Sequence, residues 1–209
     1  MRIKDFAVER YFAKYEFTAK YLLSSSDCDG YGMDYVLGVA SNSEKQLWEK
    51  LTLGYTETVG SEFLRNAIKQ HYETIQLDEI LVASPGEANF ILMNVLLNAG
   101  DHVICMTPMY QSLYQVAKDI GCNITYWKPT IEHGRWYYNP SDLKNLIQDN
   151  TKLIIVNFPH NPTGFSPSVD EFKYIVELAR QSAIAIFSDE MYRFLNHGCN
   201  ALPSASDLY

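Results

Sequence analysis

The spacing of hydrophobic positions changes near residue 79 of the chain. Before that point, apolar residues recur at loosely helical intervals and predict helices over about 2–23, from Ser43 to Leu51, and over about 60–72. A stretch rich in serine, glycine and aspartate, over 24–35, breaks this period and is predicted to be a loop. From residue 79 onward, short apolar runs alternate with longer helical stretches.

The apolar runs of the second part predict strands, and the stretches between them predict helices. Strands are predicted over 80–83, 102–106, 123–127, 152–156 and 183–187, with helices over 88–97, 110–120, 140–147 and 168–181. Strands that alternate with helices in this way are typical of a parallel sheet with both faces covered. The predicted fold class is therefore α/β, with a mostly parallel sheet and helices on both faces.

Composition and charge exclude several classes of protein. The 25 acidic residues outnumber the 17 basic ones, which gives a net charge of −8 and argues against a nucleic-acid partner. No run approaches the ~18 uncharged apolar residues of a membrane span, and the N-terminus lacks the apolar core of a signal peptide. We therefore expect a cytoplasmic protein with no membrane partner.

The four cysteines of the chain show no CxxC pair that would indicate zinc or redox chemistry. Cys28, Cys105, Cys122 and Cys199 are widely spaced, and a chain of this length does not need disulfide bonds for stability. We expect them to be reduced and mostly packed in the interior, and we predict no metal site.

Polar residues follow four of the predicted strands directly. They lie in the segments 84–87, 107–110, 157–164 and 188–192. Because ligands of open parallel sheets bind outside the carboxyl ends of the strands, these segments predict a binding site on one edge of the sheet. Asp189 is the strongest single indication, since a carboxylate at the end of a buried strand needs a cation or several donors.

Each of these segments also has a purely structural interpretation. Ser84-Pro85-Gly86 is either a helix cap or an anion-binding site at the positive end of a helix dipole. Tyr110 alone is more typical of packing, and Asn161-Pro162-Thr163-Gly164 is also compatible with an ordinary turn. The sequence contains neither a P-loop nor a convincing dinucleotide-binding glycine motif.

Taken together, the motifs resemble those of the class I/II aminotransferases, fold-type-I enzymes that use pyridoxal 5′-phosphate. The resemblance covers residues 55–192 in order and spacing, and is only vague over the first fifty residues. It implies an N-terminal arm and part of a small domain over 1–50, and a cofactor-binding large domain over 51–209. The matching motifs are Tyr55…Gly60…Leu64-Arg65, Gly100-Asp101, Pro108-x-Tyr110, Asn157-x-Pro159-x-Asn161-Pro162-Thr163-Gly164 and Asp189-Glu190-x-Tyr192.

The resemblance also implies roles for individual residues. Asn161 and Tyr192 would hydrogen-bond the ring hydroxyl of pyridoxal 5′-phosphate, and Asp189 would pair with its protonated pyridine nitrogen. Tyr110 would stack on the ring. Tyr55 would reach the cofactor phosphate of a neighbouring subunit, which implies a homodimer.

The phosphate-binding turn of the family aligns with Ser84, Pro85, Gly86 and Glu87. This chain departs from the usual pattern there, because the family commonly has glycine followed by a small residue. Since proline has no N–H to donate, we expect Gly86, Glu87 and the Ser84 hydroxyl to make the phosphate contacts.

The family's Schiff-base lysine, in a serine-x-x-lysine context beyond Asp189-x-x-Tyr192, has no counterpart up to Tyr209. Lys128, Lys152 and Lys173 stand in other contexts. We therefore expect a large domain truncated before this lysine, part of a larger protein and inactive alone. The implied substrates are an amino acid and a 2-oxo acid. A related lyase, cyclase or synthase, and a non-catalytic truncated module, stay open as alternatives.

Overall fold

Four parallel strands form the central sheet of the protein, in a computed structural model that describes residues 3–197 and 201–209. In chain order the strands are β1 (His102–Met106), β2 (Asn123–Trp127), β3 (Thr130–Glu132), β4 (Arg135–Tyr137), β5 (Thr151–Asn157) and β6 (Ala185–Asp189). The sheet has the order β2-β1-β5-β6, and every neighbouring pair in it is parallel. Strands β3 and β4 form a separate antiparallel hairpin.

Nine α-helices and one 3-10 helix surround these strands in the described residues. They are α1 (Ala7–Tyr15), α2 (Met33–Val39), α3 (Asn42–Glu49), α4 (Glu62–Lys69), the 3-10 helix Leu77–Glu79, α5 (Pro85–Leu96), α6 (Ser112–Ile120), α7 (Pro140–Leu146), α8 (Val169–Gln181) and α9 (Ala205–Leu208). None of them is long and apolar enough to cross a membrane.

The sheet is covered on both faces, as the uninterrupted apolar runs predicted. Successive side chains of a strand point to opposite faces, so Ile104 and Met106 enter one core and Val103 and Cys105 the other. The first core contains residues of α7 and α8, and the second contains residues of α5 and α6. The α/β fold class with a parallel sheet is confirmed.

The prediction of a strand over 80–83 is wrong. This segment pairs with no strand in the described part of the chain. Its backbone N–H groups bond to loop and turn carbonyls instead, from Val82 to Val59 and from Ile80 to Leu77. Helix α5 begins at Pro85, three residues before the predicted start. An apolar run alone does not distinguish a sheet strand from an extended segment that packs without a ladder.

The hairpin β3–β4 was not predicted, although its turn carries a usable signal. His133 and Gly134 both have positive φ, 51° and 75°, which is the conformation of a two-residue hairpin turn. The first predicted helix, over about 2–23, was too long, because α1 covers only Ala7–Tyr15. Helix α2 was not predicted and begins at Met33, within the predicted loop.

The N-terminal arm is attached to α6 by hydrogen bonds rather than by buried side chains. Helices α1 to α4 contain no buried residue. The backbone N–H of Lys4 donates to Asp119 (2.9 Å), and that of Ala7 donates to Gln111 Oε1 (2.9 Å). These contacts attach the arm to both ends of α6, at its N-cap Gln111 and at Asp119 in its last turn. The domain division near residue 50 stays a prediction.

The cysteines agree in part with the sequence prediction. Cys105 and Cys122 are buried free thiols, whereas Cys28 is free but exposed. Burial raises the pKa of the Cys105 thiol to about 12, so this side chain is an inert packing residue. Cys199 lies outside the described residues.

Candidate functional site

The carboxyl ends of β5 and β6 meet at the centre of the candidate site. Asn157 and Asp189 are register partners, and the Asn157 side chain donates from Nδ2 to the backbone oxygen of Asp189 (3.0 Å). The Oδ1 of Asn157 accepts from the backbone N–H of Asn161 (2.8 Å). Asn157 therefore holds the 158–164 loop against the end of β6.

The structure brings Asn161, Asp189 and Tyr192 together at this edge. Asn161 Nδ2 donates to the phenol oxygen of Tyr192 (3.2 Å), across a separation of 31 residues in sequence. Asp189 ends β6, and its Oδ1 accepts from the backbone N–H of Met191 (3.0 Å). An amide and a phenol thus bond to each other at the same edge of the sheet at which the Asp189 carboxylate ends β6.

The environment of Asp189 disfavours its negative charge. Burial raises the pKa of this carboxyl; the Met191 hydrogen bond opposes that shift, and the nearby Glu190 charge adds to it. In the described residues, the Met191 N–H is the one donor bonded to this side chain. A cationic N–H placed against the carboxylate would supply the missing partner, which is what a protonated pyridine nitrogen offers. The surroundings of the Asp189 carboxylate therefore fit the expected cofactor.

His160 is a structural residue of the site that the sequence analysis did not single out. It is 2% exposed, and its Nε2 lies 2.8 Å from the backbone oxygen of Pro108 while Nδ1 lies 2.7 Å from Thr163 Oγ1. A carbonyl only accepts, so Nε2 carries the proton and Nδ1 accepts from Thr163. Burial lowers the pKa of His160 to about 4. The signal in sequence was a polar residue between Pro159 and Asn161, after a buried strand.

Tyr110 precedes α6 and carries a contact from the N-terminal arm. Its hydroxyl donates to the carboxylate of Glu9 in α1. Burial, the hydrogen bond to Glu9 and the Glu9 charge raise the pKa of Tyr110 to about 12. The His160 bond to Pro108 connects the segment of Tyr110 to the Asn161 loop. Glu9 was not predicted as a site residue, since no local pattern relates it to a tyrosine 101 positions away.

The segment Ser84–Glu87 forms the start of α5, with Ser84 as N-cap and Pro85 as the first helical residue. The Ser84 side chain makes no capping hydrogen bond, and the N–H groups of Gly86 and Glu87 lie in the first turn, where helices leave donors without intrahelical partners. No heavy atom lies within 4 Å of a Cβ built on Gly86. The space beside the Gly86 Cα is therefore open.

The start of α5 lies beside the start of α6. Asn89 Nδ2 donates to Ser112 Oγ (3.0 Å), and both side chains are buried. Gly86 and Ser112 line a groove of about 440 Å³ together with Glu9 of the arm. The structure thus places the Ser84–Glu87 turn next to the helix that follows Tyr110.

Tyr55, which was predicted, and Ser26, which was not, are the remaining side chains to place. Tyr55 is fully exposed and makes no side-chain hydrogen bond in the described part of the chain, so the structure does not bring it into the group around Asp189. Ser26, which was not predicted, places its Oγ 2.8 Å from the Tyr192 phenol oxygen. None of Lys128, Lys152 and Lys173 hydrogen-bonds to Asp189, Asn161 or Tyr192.

Comparisons with known proteins agree with this architecture. The crystal structure of a PLP-dependent aminotransferase from Streptococcus suis superposes with a TM-score of 0.86 and 27% identity, over all of this chain and 56% of that one. The PLP-dependent cyclase OrfR gives a TM-score of 0.86 at 22% identity, over 99% of this chain and 54% of its own, which shows the fold alone. The fold is that of the fold-type-I PLP enzymes.

The sequence comparisons define the family. The family model for aminotransferases of class I and II matches residues 18–206. The aspartate aminotransferase of Sulfurisphaera tokodaii is 33% identical over 159 residues, which are 73% of this chain and 39% of that protein. The chain belongs to the class I and II aminotransferase family. It spans about two fifths of the length of the curated relatives it matches.

Proposed function

We propose that residues 84–192 supply the ring-orienting and phosphate-binding part of a pyridoxal 5′-phosphate site in a protein that acts on an amino acid and a 2-oxo acid. The observation that carries this proposal is the hydrogen bond between Asn161 and Tyr192, at the edge of the sheet where β6 ends with the half-buried Asp189. When bound, the cofactor supplies an electron-withdrawing ring that stabilises negative charge at the substrate α-carbon.

The geometry supports a separate task for each group. The Asp189 carboxylate accepts one hydrogen bond, from the Met191 N–H, and would hold the proton on the pyridine nitrogen. Asn161 Nδ2 and the Tyr192 hydroxyl would both donate toward the ring hydroxyl oxygen. Tyr110 would cover one face of the ring, where its bond to Glu9 limits rotation of the phenol.

The phosphate would lie at the start of α5. The N–H groups of Gly86 and Glu87 and the Ser84 hydroxyl are the donors available there, and the positive end of the helix dipole favours an anion. Pro85 donates nothing but suits the first helical position because its φ is already helical.

The covalent part of the chemistry is not assigned to any of these residues. Transamination needs an amine that forms a Schiff base and then moves the proton at the α-carbon. No lysine of the described residues is bonded to the groups of the site. We therefore propose that the 209-residue chain does not transaminate by itself, and that residues 51–209 are the cofactor-binding unit and 1–50 an arm with part of a second domain.

Assembly as a homodimer is part of the same proposal. Tyr55 is fully exposed and far from any partner group within the described residues, as a side chain that reaches a neighbouring subunit would be. Sedimentation equilibrium with and without pyridoxal phosphate tests it. The role is supported if the chain forms a defined dimer and Tyr55→Ala weakens its binding of the cofactor. A monomer contradicts it.

The proposal is tested by binding of two cofactor forms to the purified chain. Pyridoxamine 5′-phosphate is the main probe, because it needs no Schiff base, and tryptophan fluorescence reports its binding. Asp189→Asn is expected to weaken binding at least tenfold, since a charge-assisted hydrogen bond contributes about 1.5–3 kcal/mol. The matched control is Asp149→Asn, at an exposed loop position.

Two results would contradict the proposal. Equal binding by the wild-type chain and Asp189→Asn would remove the role of Asp189. Pyridoxal phosphate that is trapped on a lysine by borohydride, together with amino-group transfer, would contradict the inactivity of the chain.

A second candidate is another reaction of the same cofactor. The similarity to the cyclase OrfR supports it, because that fold covers 99% of this chain at a TM-score of 0.86. Lyases and synthases of the same fold would use the same ring-orienting residues. Assays for amino-group transfer, elimination and ring formation distinguish these reactions.

A further inference from the structure

The loop formed by residues 24–29 reaches the candidate site from the N-terminal part of the chain. Ser26 Oγ lies 2.8 Å from the Tyr192 phenol oxygen, although the two residues are 166 positions apart in sequence. On its other side, the same phenol oxygen accepts a hydrogen bond from Asn161 Nδ2 at 3.2 Å. Tyr192 therefore has two hydrogen-bond partners before any ligand is considered.

The protons of this cluster can be assigned by what each group is able to donate. Asn161 Nδ2 is only a donor, so the Tyr192 oxygen accepts there, and the phenol keeps one proton to donate. A serine hydroxyl both donates and accepts. When Ser26 donates to the Tyr192 oxygen, the phenol proton is free to point at a third acceptor. Donation into a phenol also makes it a stronger donor, because hydrogen bonds in a chain polarise one another.

The loop around Ser26 is braced by its own hydrogen bonds. Ser25 Oγ donates to Asp27 Oδ2 (3.1 Å) and accepts from the backbone N–H of Asp27 (3.2 Å). These two contacts close a local turn over residues 25–27, with Ser26 at its middle. The hydroxyl of Ser26 is therefore presented by a defined turn rather than by a freely extended segment.

We propose that Ser26 is a positioning residue that directs the Tyr192 phenol proton toward the ring oxygen of the cofactor. This inference rests on the proposed function, because it assigns the third acceptor to the pyridoxal ring. Ser26 does not itself touch the cofactor in this proposal; it acts through Tyr192. The N-terminal segment thus contributes to a site whose other ring-orienting groups lie after β5 and β6.

Three variants separate this role from simple attachment of the loop. Ser26→Ala removes the hydroxyl, and Ser26→Thr keeps it. Ser24→Ala is the matched control, since Ser24 is an exposed serine of the same loop and makes no side-chain hydrogen bond in the described part of the chain. Each variant is compared with the wild-type chain in the presence and absence of pyridoxamine 5′-phosphate.

The first measurement follows the ring hydroxyl of bound pyridoxamine 5′-phosphate by absorbance during a pH titration. Ser26→Ala is expected to raise the pKa of that hydroxyl by about 0.3 units, from a loss of 10–30% of one charge-assisted bond. It is also expected to weaken binding by about fivefold at most. Ser26→Thr should restore both values, and Ser24→Ala should leave them at the wild-type level.

The second measurement needs no ligand. With tyrosine labelled by 13C at Cζ, the Tyr192 resonance (assigned with Tyr192→Phe) reports the hydrogen bonds of its hydroxyl. Ser26→Ala is expected to shift this resonance, and Ser24→Ala is not. An unshifted resonance would overturn the inference at the level of the contact itself.

The remaining outcomes separate the inference from the proposed function. Wild-type binding with an unchanged titration in Ser26→Ala overturns the role of Ser26 and leaves Asp189 and Asn161 in place. A wild-type chain that does not bind the probe overturns the proposed function, and the role of Ser26 with it. A change in stability without a change in the pH titration means that Ser26 only attaches the loop.

Discussion

Acidification is expected to destabilise the protein through His160, which connects the loops that follow β1 and β5. Burial lowers the pKa of this imidazole to about 4 from its ordinary value of 6.5. A histidine whose pKa is depressed in the folded state contributes stability above its unfolded pKa and loses it as the pH falls toward its folded pKa. The window of the effect is therefore between about pH 6.5 and pH 4.

The size of the effect follows from the two pKa values. One pKa unit corresponds to about 1.4 kcal/mol, and the linkage relation gives a loss of about 2 kcal/mol between pH 7 and pH 5. At pH 4 the loss reaches about 3 kcal/mol. The folded protein must then either bury the charge of His160 or break its contacts with Pro108 and Thr163.

The assay is urea unfolding at several pH values between 7 and 4, for the wild-type chain and for His160→Gln. Glutamine does not titrate, so the difference in unfolding free energy between the two proteins isolates the histidine from all other groups. At pH 7 the variant is expected to be less stable, because a buried hydrogen-bonded group is lost. The difference should shrink by about 2 kcal/mol at pH 5.

The control is His197→Gln, at an exposed histidine. As a substitution at the surface, it should change the unfolding free energy by no more than about 0.5 kcal/mol. Curves for His160→Gln and the wild-type chain that run parallel from pH 7 to pH 4 would refute the reasoning, since they would show that His160 titrates alike in the folded and unfolded states.

Three further changes test other parts of the structure. Asp189→Asn should raise Tm at pH 7 and leave it unchanged below about pH 3.8, because a carboxyl whose pKa is raised in the folded state destabilises that state as the pH rises. An unchanged Tm at pH 7 contradicts this. Ser168→Ala removes the capping box of α8 and should cost about 1 kcal/mol in urea unfolding. Gly60→Ala should cost more than about 1 kcal/mol in the same assay, because φ is +96° and the new Cβ would lie 2.5 Å from Val82 Cγ2.

Local pattern was sufficient for the sheet and its covering helices. The runs at 102–106 and 123–127 are strands with the predicted bounds, and the helix predicted over 168–181 is Val169–Gln181. The run at 102–106 is almost entirely apolar and is buried throughout, so its burial on both faces follows from the sequence. Strand β2 also contains Asn123 and Thr125 and is only partly buried, at the edge of the sheet. The run at 80–83 has the same local composition but no ladder partner, and only the topology distinguishes it from a strand.

Some residues of the candidate site could likewise be predicted from local pattern, and others could not. Asn161, Asp189 and Tyr192 follow buried strands directly, and in a parallel sheet the carboxyl ends of neighbouring strands meet at one edge, so their proximity was predictable. Glu9 and Ser26 reach Tyr110 and Tyr192 across 101 and 166 residues of sequence. No periodicity or capping rule acts over such separations.

Neighbouring residues were therefore enough to predict the strands of the sheet and the polar groups that follow them. What surrounds those groups depends on the tertiary structure. The burial that lowers the pKa of His160 and raises that of Asp189 arises from segments packed over them, and the second partner of Tyr192 comes from a distant loop. Desolvation and long-range hydrogen bonds depend on three-dimensional packing, which local residue patterns do not encode.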